Sequence, residues 1–192
     1  MKVVASPHPD DGLRALKAEL AAALATIDRL QALADTDYLL GIFNRRGFER
    51  ELNRSLAYIK RYKAEGALIV LDVDGLKPIN DAFGHATGDA VLKAVAAVLK
   101  SNVRASDVIG RMGGDEFALL LWNLSQDDAL AKAAALEQAV DNLGLVFAGR
   151  RVETGASAGT TLLTPADDAL SALARADVAM YGRKQLRKAR SQ

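Results

Sequence analysis

Apolar residues recur along this chain with two different periods. From Leu13 they fall at Leu13, Leu16, Leu20, Ala23, Ile27, Leu30 and Ala34, in alternating steps of three and four, which is the spacing of a coiled-coil seam. The pattern predicts a helix over 11–35, whose stripe either zips against a partner helix or packs on its own domain as an ordinary amphipathic face. Further helices are expected over 46–64, 85–101, 127–142 and 167–186. Ser125-Gln126-Asp127-Asp128 and Thr164-Pro165-Ala166-Asp167-Asp168 offer N-caps with acids in the first turn. Strands are expected over 67–73, around 107–123 and within 145–163, where short continuous apolar runs such as Leu68-Ile69-Val70-Leu71 read as buried strands. This order predicts an α+β domain over 36–192 with a central, mostly antiparallel sheet and helices on its faces, preceded over 1–35 by a tail and the N-terminal helix. Phe48, Phe83 and Tyr181 are expected in the core.

The polar interruptions of these runs carry the chemistry. Gly113-Gly114-Asp115-Glu116-Phe117 lies between two apolar runs, so Gly113-Gly114 reads as a hairpin tip with Asp115 and Glu116 at its edge. Glycine there would supply positive φ and let a phosphate or base approach the backbone. Alone, the string is also compatible with a plain Gly-Gly turn carrying solvated acids. A second acidic cluster changes the balance: the run at Leu68 leads straight into Asp72-Val73-Asp74-Gly75-Leu76-Lys77-Pro78-Ile79-Asn80-Asp81. Carboxylates at strand ends suit a hard divalent cation, which takes one or two of them plus substrate phosphates. Asp72 and Asp115 converge if their strands are neighbours, whereas Asp74 and Asp81 are equally well read as turn and cap residues.

With these motifs the sequence resembles the GGDEF family, the diguanylate cyclases, over residues 35–188. The resemblance runs in family order through Asp37-Tyr38-Leu39-Leu40-Gly41-Ile42-Phe43-Asn44-Arg45-Arg46, Asp72 to Asp81, Gly84-His85-Ala86-Thr87-Gly88-Asp89, Arg111 to Phe117 and Ala176-Asp177-Val178-Ala179-Met180-Tyr181-Gly182-Arg183-Lys184. Leu40 stands where a threonine is usual, Arg183 replaces an alanine, and Lys188 an arginine. The fold implied is that of the polymerase palm and the nucleotide cyclases.

The resemblance implies a site residue by residue. Asp72, Asp115, Glu116 and the carbonyl of Val73 would hold Mg²⁺, or Mn²⁺ in its place, with two ions per active site. Asp115 and Glu116 would be the catalytic pair, Asp115 organising or accepting the hydroxyl proton. Backbone amides near Gly75, Leu76 and Lys77 would cradle phosphates, with Gly113 and Gly114 close by, and Lys184 and Lys188 would reach the terminal phosphates. Asn80 and Asp89 would read guanine, with His85 near the ribose or base. Arg104-Ala105-Ser106-Asp107 resembles the family's inhibitory product site, with Arg111 as a third contributor; by itself the pattern is also that of a surface ion pair. The implied reaction condenses two GTP into cyclic di-GMP and two pyrophosphates between the halves of a two-fold homodimer, inhibited by its own product, with the N-terminal helix relaying a signal from a sensory domain that either precedes Met1 or is supplied by a partner. The alternative is a catalytically silent domain that serves as a cyclic di-GMP or GTP receptor.

Composition narrows the remaining classes. With 192 residues, 50% of them apolar, there is enough for one core, and no apolar run is long enough to span a bilayer. The apolar start over residues 1–7 is too short for a signal peptide, which leads to the expectation of a cytoplasmic protein. The absence of cysteine excludes disulfides and thiolate metal sites. A net charge of +1 argues against a nucleic-acid partner. The basic run Arg183, Lys184, Arg187, Lys188, Arg190 ends near the implied phosphates, and Arg187 and Arg190 are otherwise read as a solvated helix face.

Overall fold

The computed structural model describes residues 9–190; the leader expectation for residues 1–7 lies outside them. The chain divides into two compact units, Met1–Asp35 and Thr36–Gln192. In the first, α1 (Pro9–Asp35) is a single helix of 27 residues. Its stripe residues Leu13, Leu16, Leu20, Ile27 and Leu30 are all exposed, and Leu24, beside Ala23, widens it.

The second unit runs β1 (Phe43–Asn44), α2 (Arg45–Tyr62), β2 (Gly66–Asp74), α3 (Leu76–Phe83), α4 (His85–Ser101), β3 (Val108–Arg111), β4 (Glu116–Trp122), α5 (Gln126–Asp141), β5 (Leu145–Phe147), β6 (Arg150–Val152), β7 (Gly155–Leu163) and α6 (Ala169–Arg190). Five strands form one sheet in the order β1-β3-β4-β2-β7, and β5 and β6 make a separate ribbon. Every pairing is antiparallel except β1 with β3. β2 lies one strand in from the edge and eight of its nine residues are buried, which explains its unbroken apolar run: both of its faces are covered. Ile69, Leu71, Val73, Phe117 and Leu119 pack with Val91, Val95 and Leu136 of α4 and α5. On the other face Leu68, Val70, Ala118 and Leu120 pack with Phe48, Leu52, Ala172, Ala176 and Met180 of α2 and α6.

Two close approaches fix the helices on the sheet. A Cβ at Gly159 would stand 2.0 Å from the backbone nitrogen of Met180 and 2.4 Å from the carbonyl oxygen of Ala176, so α6 lies directly on β7. Gly110 likewise leaves room for the ring of Phe48, which is wholly buried. Phe83 is partly buried against the α4 side of the core. Tyr181, by contrast, is 63% exposed and not a core residue, because α6 turns Ala172, Ala176 and Met180 inward at steps of four and the next position faces out.

β7 is an edge strand, and part of its open side is closed by side chains. The N–H of Ala156 donates to Asp141 Oδ1 at 3.3 Å and that of Ala158 to Glu137 Oε1 at 2.9 Å, both carboxylates coming from α5. The one helix without a counterpart among the sequence expectations is α3. Its Pro78 sits in the first turn, where the missing N–H has no intrahelical partner to lose, so eight residues with a proline still close a helix.

Candidate functional site

The register of β2 against β4 builds the acidic end of the site. Asp72 pairs with Glu116 across the ladder, and the N–H of Val73 donates to the carbonyl of Asp115 at 2.9 Å. The two acidic strings thereby meet at one end of two neighbouring strands. Asp72 is buried, at 8% exposure. Burial pushes its carboxyl above the ordinary range; the bond and charge of Lys184 work the other way, and the charges of Asp115 and Asp74 add to the rise. Glu116 is also pushed up, first by burial, then by the charges of Asp177, Asp72 and Asp115, with Arg45 opposing.

The hairpin tip is held by one arginine. Arg111 donates from Nε to the carbonyls of Gly113 and Gly114 at 3.1 and 3.2 Å, from Nη2 to Gly114 at 2.7 Å, and from Nη1 to Asp37 Oδ2 at 3.1 Å. Neither Gly113 nor Gly114 has positive φ, against the expectation for this tip; the left-handed glycines are Gly41, Gly75, Gly84, Gly144 and Gly149. What glycine supplies at 113 is clearance, since a Cβ would lie 3.1 Å from Glu116 Oε2.

The floor of the site comes from the loop after β2. Gly75, at φ 78°, turns the chain into α3 and brings no side chain to cap its first turn, leaving backbone N–H groups of Leu76 and Lys77 at a helix start suited to anions. Lys77, His85 and Asp89 are exposed. Asn80 is different: its Oδ1 is buried and has no hydrogen-bond partner, and it rests so close to Gly88 that a Cβ there would stand 1.9 Å from it. A buried amide oxygen with no partner is a site waiting for a donor.

Cations arrive from α6. Lys184 Nζ lies 2.5 Å from Asp72 Oδ1 and 3.8 Å from Asp74 Oδ1, and Ser157 donates to Asp74 Oδ2 at 3.0 Å. Burial works to lower the pKa of Lys184, but the bond to Asp72 and the charges of Asp72, Asp74 and Asp115 outweigh it and raise it overall. Arg187 is not a solvated-face residue. It donates to both Asp141 oxygens at 2.8 and 2.9 Å and approaches Asp74 at 3.8 Å and Glu137 at 3.7 Å. Arg183 grips the buried Glu137 at 2.6–3.0 Å. Lys188 is exposed. The sequence reading missed Glu137, Asp141, Asp177 and Asp37 as charges around this site; a buried acid in α5 gave no motif to find it by.

Arg104 and Asp107 lie elsewhere, in the turn before β3. Asp107 Oδ2 accepts from the backbone N–H of Arg104 at 2.8 Å and Oδ1 from that of Trp122 at 3.3 Å. The carboxylate organises the turn, and the guanidinium of Arg104 is exposed. Beside them opens a cavity of about 360 Å³ whose lining includes Thr36, Gly41, Phe43 and Lys100. Arg111, occupied with the hairpin tip, does not line it.

Comparison with known proteins agrees with these motifs. Residues 34–190 match the family model described as diguanylate cyclase, GGDEF domain. The probable diguanylate cyclase DgcE of Escherichia coli K12 is 37% identical over 157 residues, which are 81% of this chain and 14% of that one. Among solved structures, the coiled coil and GGDEF domain of DgcB from Caulobacter crescentus, in complex with c-di-GMP, has a TM-score of 0.79 at 27% identity and covers 92% of this chain and 94% of that one. Diguanylate cyclase SiaD with its activator SiaC, from Pseudomonas aeruginosa, has a TM-score of 0.74 at 30% identity, covering 92% and 70%. The chain spans 14% to 32% of the length of the first curated relatives it matches.

Proposed function

The chain belongs to the GGDEF diguanylate cyclase family, and on that premise we propose that two copies of it convert two GTP into cyclic di-GMP and two pyrophosphates. The observation that carries this reading is the β2–β4 register, which sets Asp72 opposite Glu116 and ties Val73 to Asp115. In each half-reaction the 3′-oxygen of one GTP bonds to the α-phosphorus of the other. The bond from that phosphorus to the β-phosphate bridge breaks, and the hydroxyl proton departs. Asp115, at the mouth of the site, orients the hydroxyl or takes that proton.

The donor set suits Mg²⁺. Asp72, Asp115 and Glu116 offer hard oxygen ligands, with the Val73 carbonyl beside them, and a magnesium ion takes few protein carboxylates when phosphates complete its shell. Among the described residues no group of three or more acidic or histidine side chains is placed to hold a metal ion by itself. Mg²⁺ held there would lower the pKa of the attacking hydroxyl and neutralise the leaving pyrophosphate.

The chain's own residues do the rest. The N–H groups opening α3 receive phosphate oxygens, and Lys184 meets the terminal phosphates as a point charge. Asn80 Oδ1 accepts from guanine, and Asp89 takes the ring N–H and amino group, a donor pair that adenine lacks. Arg104 and Asp107, with the cavity at their side, bind product and restrain the enzyme. A receptor that has lost turnover would use that same cavity.

The test is direct. Purified chain at high concentration with GTP and Mg²⁺ is expected to yield cyclic di-GMP, resolved by chromatography. Asp115→Ala is expected to abolish it while the circular dichroism spectrum is kept. Turnover by that variant would remove Asp115 from the mechanism, and binding of cyclic di-GMP without any turnover by the unaltered chain would establish the receptor.

A further inference from the structure

The ion pair between Lys184 and Asp72 says in what form this site takes its ligands. We propose that Lys184 is the resident counter-ion of the nucleotide-free site, so that the chain takes metal and triphosphate as one unit rather than as two independent ligands. The inference rests on the reading of Asp72 as a metal-holding residue given above.

The ammonium occupies one of the two carboxylate oxygens that Asp72 could offer a cation. Lys184 Nζ is 2.5 Å from Asp72 Oδ1, and the two side chains are only 24% and 12% exposed. The same nitrogen stands 3.8 Å from Asp74 Oδ1, so one ammonium serves two carboxylates. The two neighbouring arginines of α6 are already engaged. Arg187 is held by Asp141 and Glu137 as well as Asp74, and Arg183 by Glu137. A divalent ion arriving alone either strips Lys184 from Asp72, leaving a half-buried ammonium short of a partner, or binds Asp72 against the repulsion of that neighbouring positive charge, and both are costly. A triphosphate brings its own anionic oxygens. Lys184 can then exchange one anion for another, and Asp72 is released to a metal in the same event. Lys184 thereby adds to the reciprocal strengthening that phosphate oxygens on the metal already give metal and nucleotide.

The test reads Mn²⁺ binding rather than turnover. Unaltered chain and Lys184→Met are titrated with manganous chloride alone, and the free ion is followed by electron paramagnetic resonance. The variant is expected to bind Mn²⁺ at least about tenfold more tightly than the unaltered chain, a factor ordinary for coupling between two ligands. Adding Asp72→Asn to it is expected to erase the gain. Lys184→Arg, which keeps the charge, should bind like the unaltered chain. Equal or weaker Mn²⁺ binding by Lys184→Met, or a gain that survives Asp72→Asn, overturns the proposal; Lys184→Gln serves the same comparison if the methionine variant does not fold.

A second titration keeps the two readings apart. With a GTP analogue bearing a methylene between the α- and β-phosphorus, and the analogue's own binding of Mn²⁺ subtracted, the gain in Mn²⁺ affinity is expected to be at least about tenfold larger for the unaltered chain than for Lys184→Met. An equal gain in the two chains overturns the role of Lys184 even if cyclic di-GMP forms from GTP. Failure to form product under any condition sinks the cyclase reading, while the nucleotide-free comparison still decides what Lys184 does.

Discussion

At the scale of single residues the site stores unfavourable electrostatics. Glu116 carries a carboxyl raised by burial and by Asp177, Asp72 and Asp115. A carboxyl raised on folding holds its proton more tightly in the folded chain than in the unfolded one, so its ionisation at neutral pH costs folded-state stability. That cost fades as pH falls through the raised value and is gone below the ordinary glutamate range. Glu116→Gln is therefore expected to raise the melting temperature at pH 7, and about 1 kcal/mol corresponds to roughly 2–4 °C in a chain of this size. By about pH 4 the difference should vanish; a gain of the same size at both pH values would place its origin elsewhere. Gly88 makes a sharper case. A methyl there meets Asn80 Oδ1 at 1.9 Å, and the far end of a side chain can swing away. Gly88→Ala should thus fold with an unchanged or higher melting temperature, since alanine favours helices. Its affinity for guanine nucleotides is expected to fall by about tenfold, or ~1.4 kcal/mol, as read by titration with the GTP analogue. Unaltered affinity would free Asn80 from base recognition.

At the scale of elements, what could be read in advance depended on how local each signal was. The strand ends bearing Asp72 and Asp115 were legible because an apolar run and an acidic string abut in sequence, and neighbouring strands then brought them together. The charges behind them were not. Arg183 finds Glu137, and Arg187 finds Asp141, 46 residues away, and no pattern in a single helix announces such a partner. Tyr181 was misplaced because an aromatic residue was taken as core without fixing the phase of α6, which Ala172, Ala176 and Met180 set. The glycine pair was correctly placed at a tip, but for the wrong physical reason: clearance over Glu116 at 113, not a left-handed backbone. The seat of α6 gives the element-scale prediction. At Gly159 a Cβ would collide with backbone atoms of Ala176 and Met180, which cannot rotate aside. Gly159→Ala is expected to cost about 1–3 kcal/mol in denaturant unfolding, the usual range for overpacking. Because Lys184 lies one turn beyond Met180, affinity for the GTP analogue should fall with it. A neutral substitution would mean that α6 is free to lift.

At the scale of the whole molecule, the proposed chemistry asks for two chains, and α1 carries a long exposed apolar stripe. Leu20→Asp puts a charge in the middle of that seam. At one concentration the unaltered chain is expected to sediment as a dimer and the variant as a monomer, and the variant to turn over GTP more slowly per chain, with the loss recovered as protein concentration rises. Equal sedimentation of the two would assign the stripe another partner. β7 has a bearing on the same encounter. Chains that meet copies of themselves, as the proposed chemistry asks, are exposed to a hazard, because two bare sheet edges can join and go on joining into fibres. Asp141 and Glu137 occupy the amides of Ala156 and Ala158, so two of the donors that such growth would use are already spent.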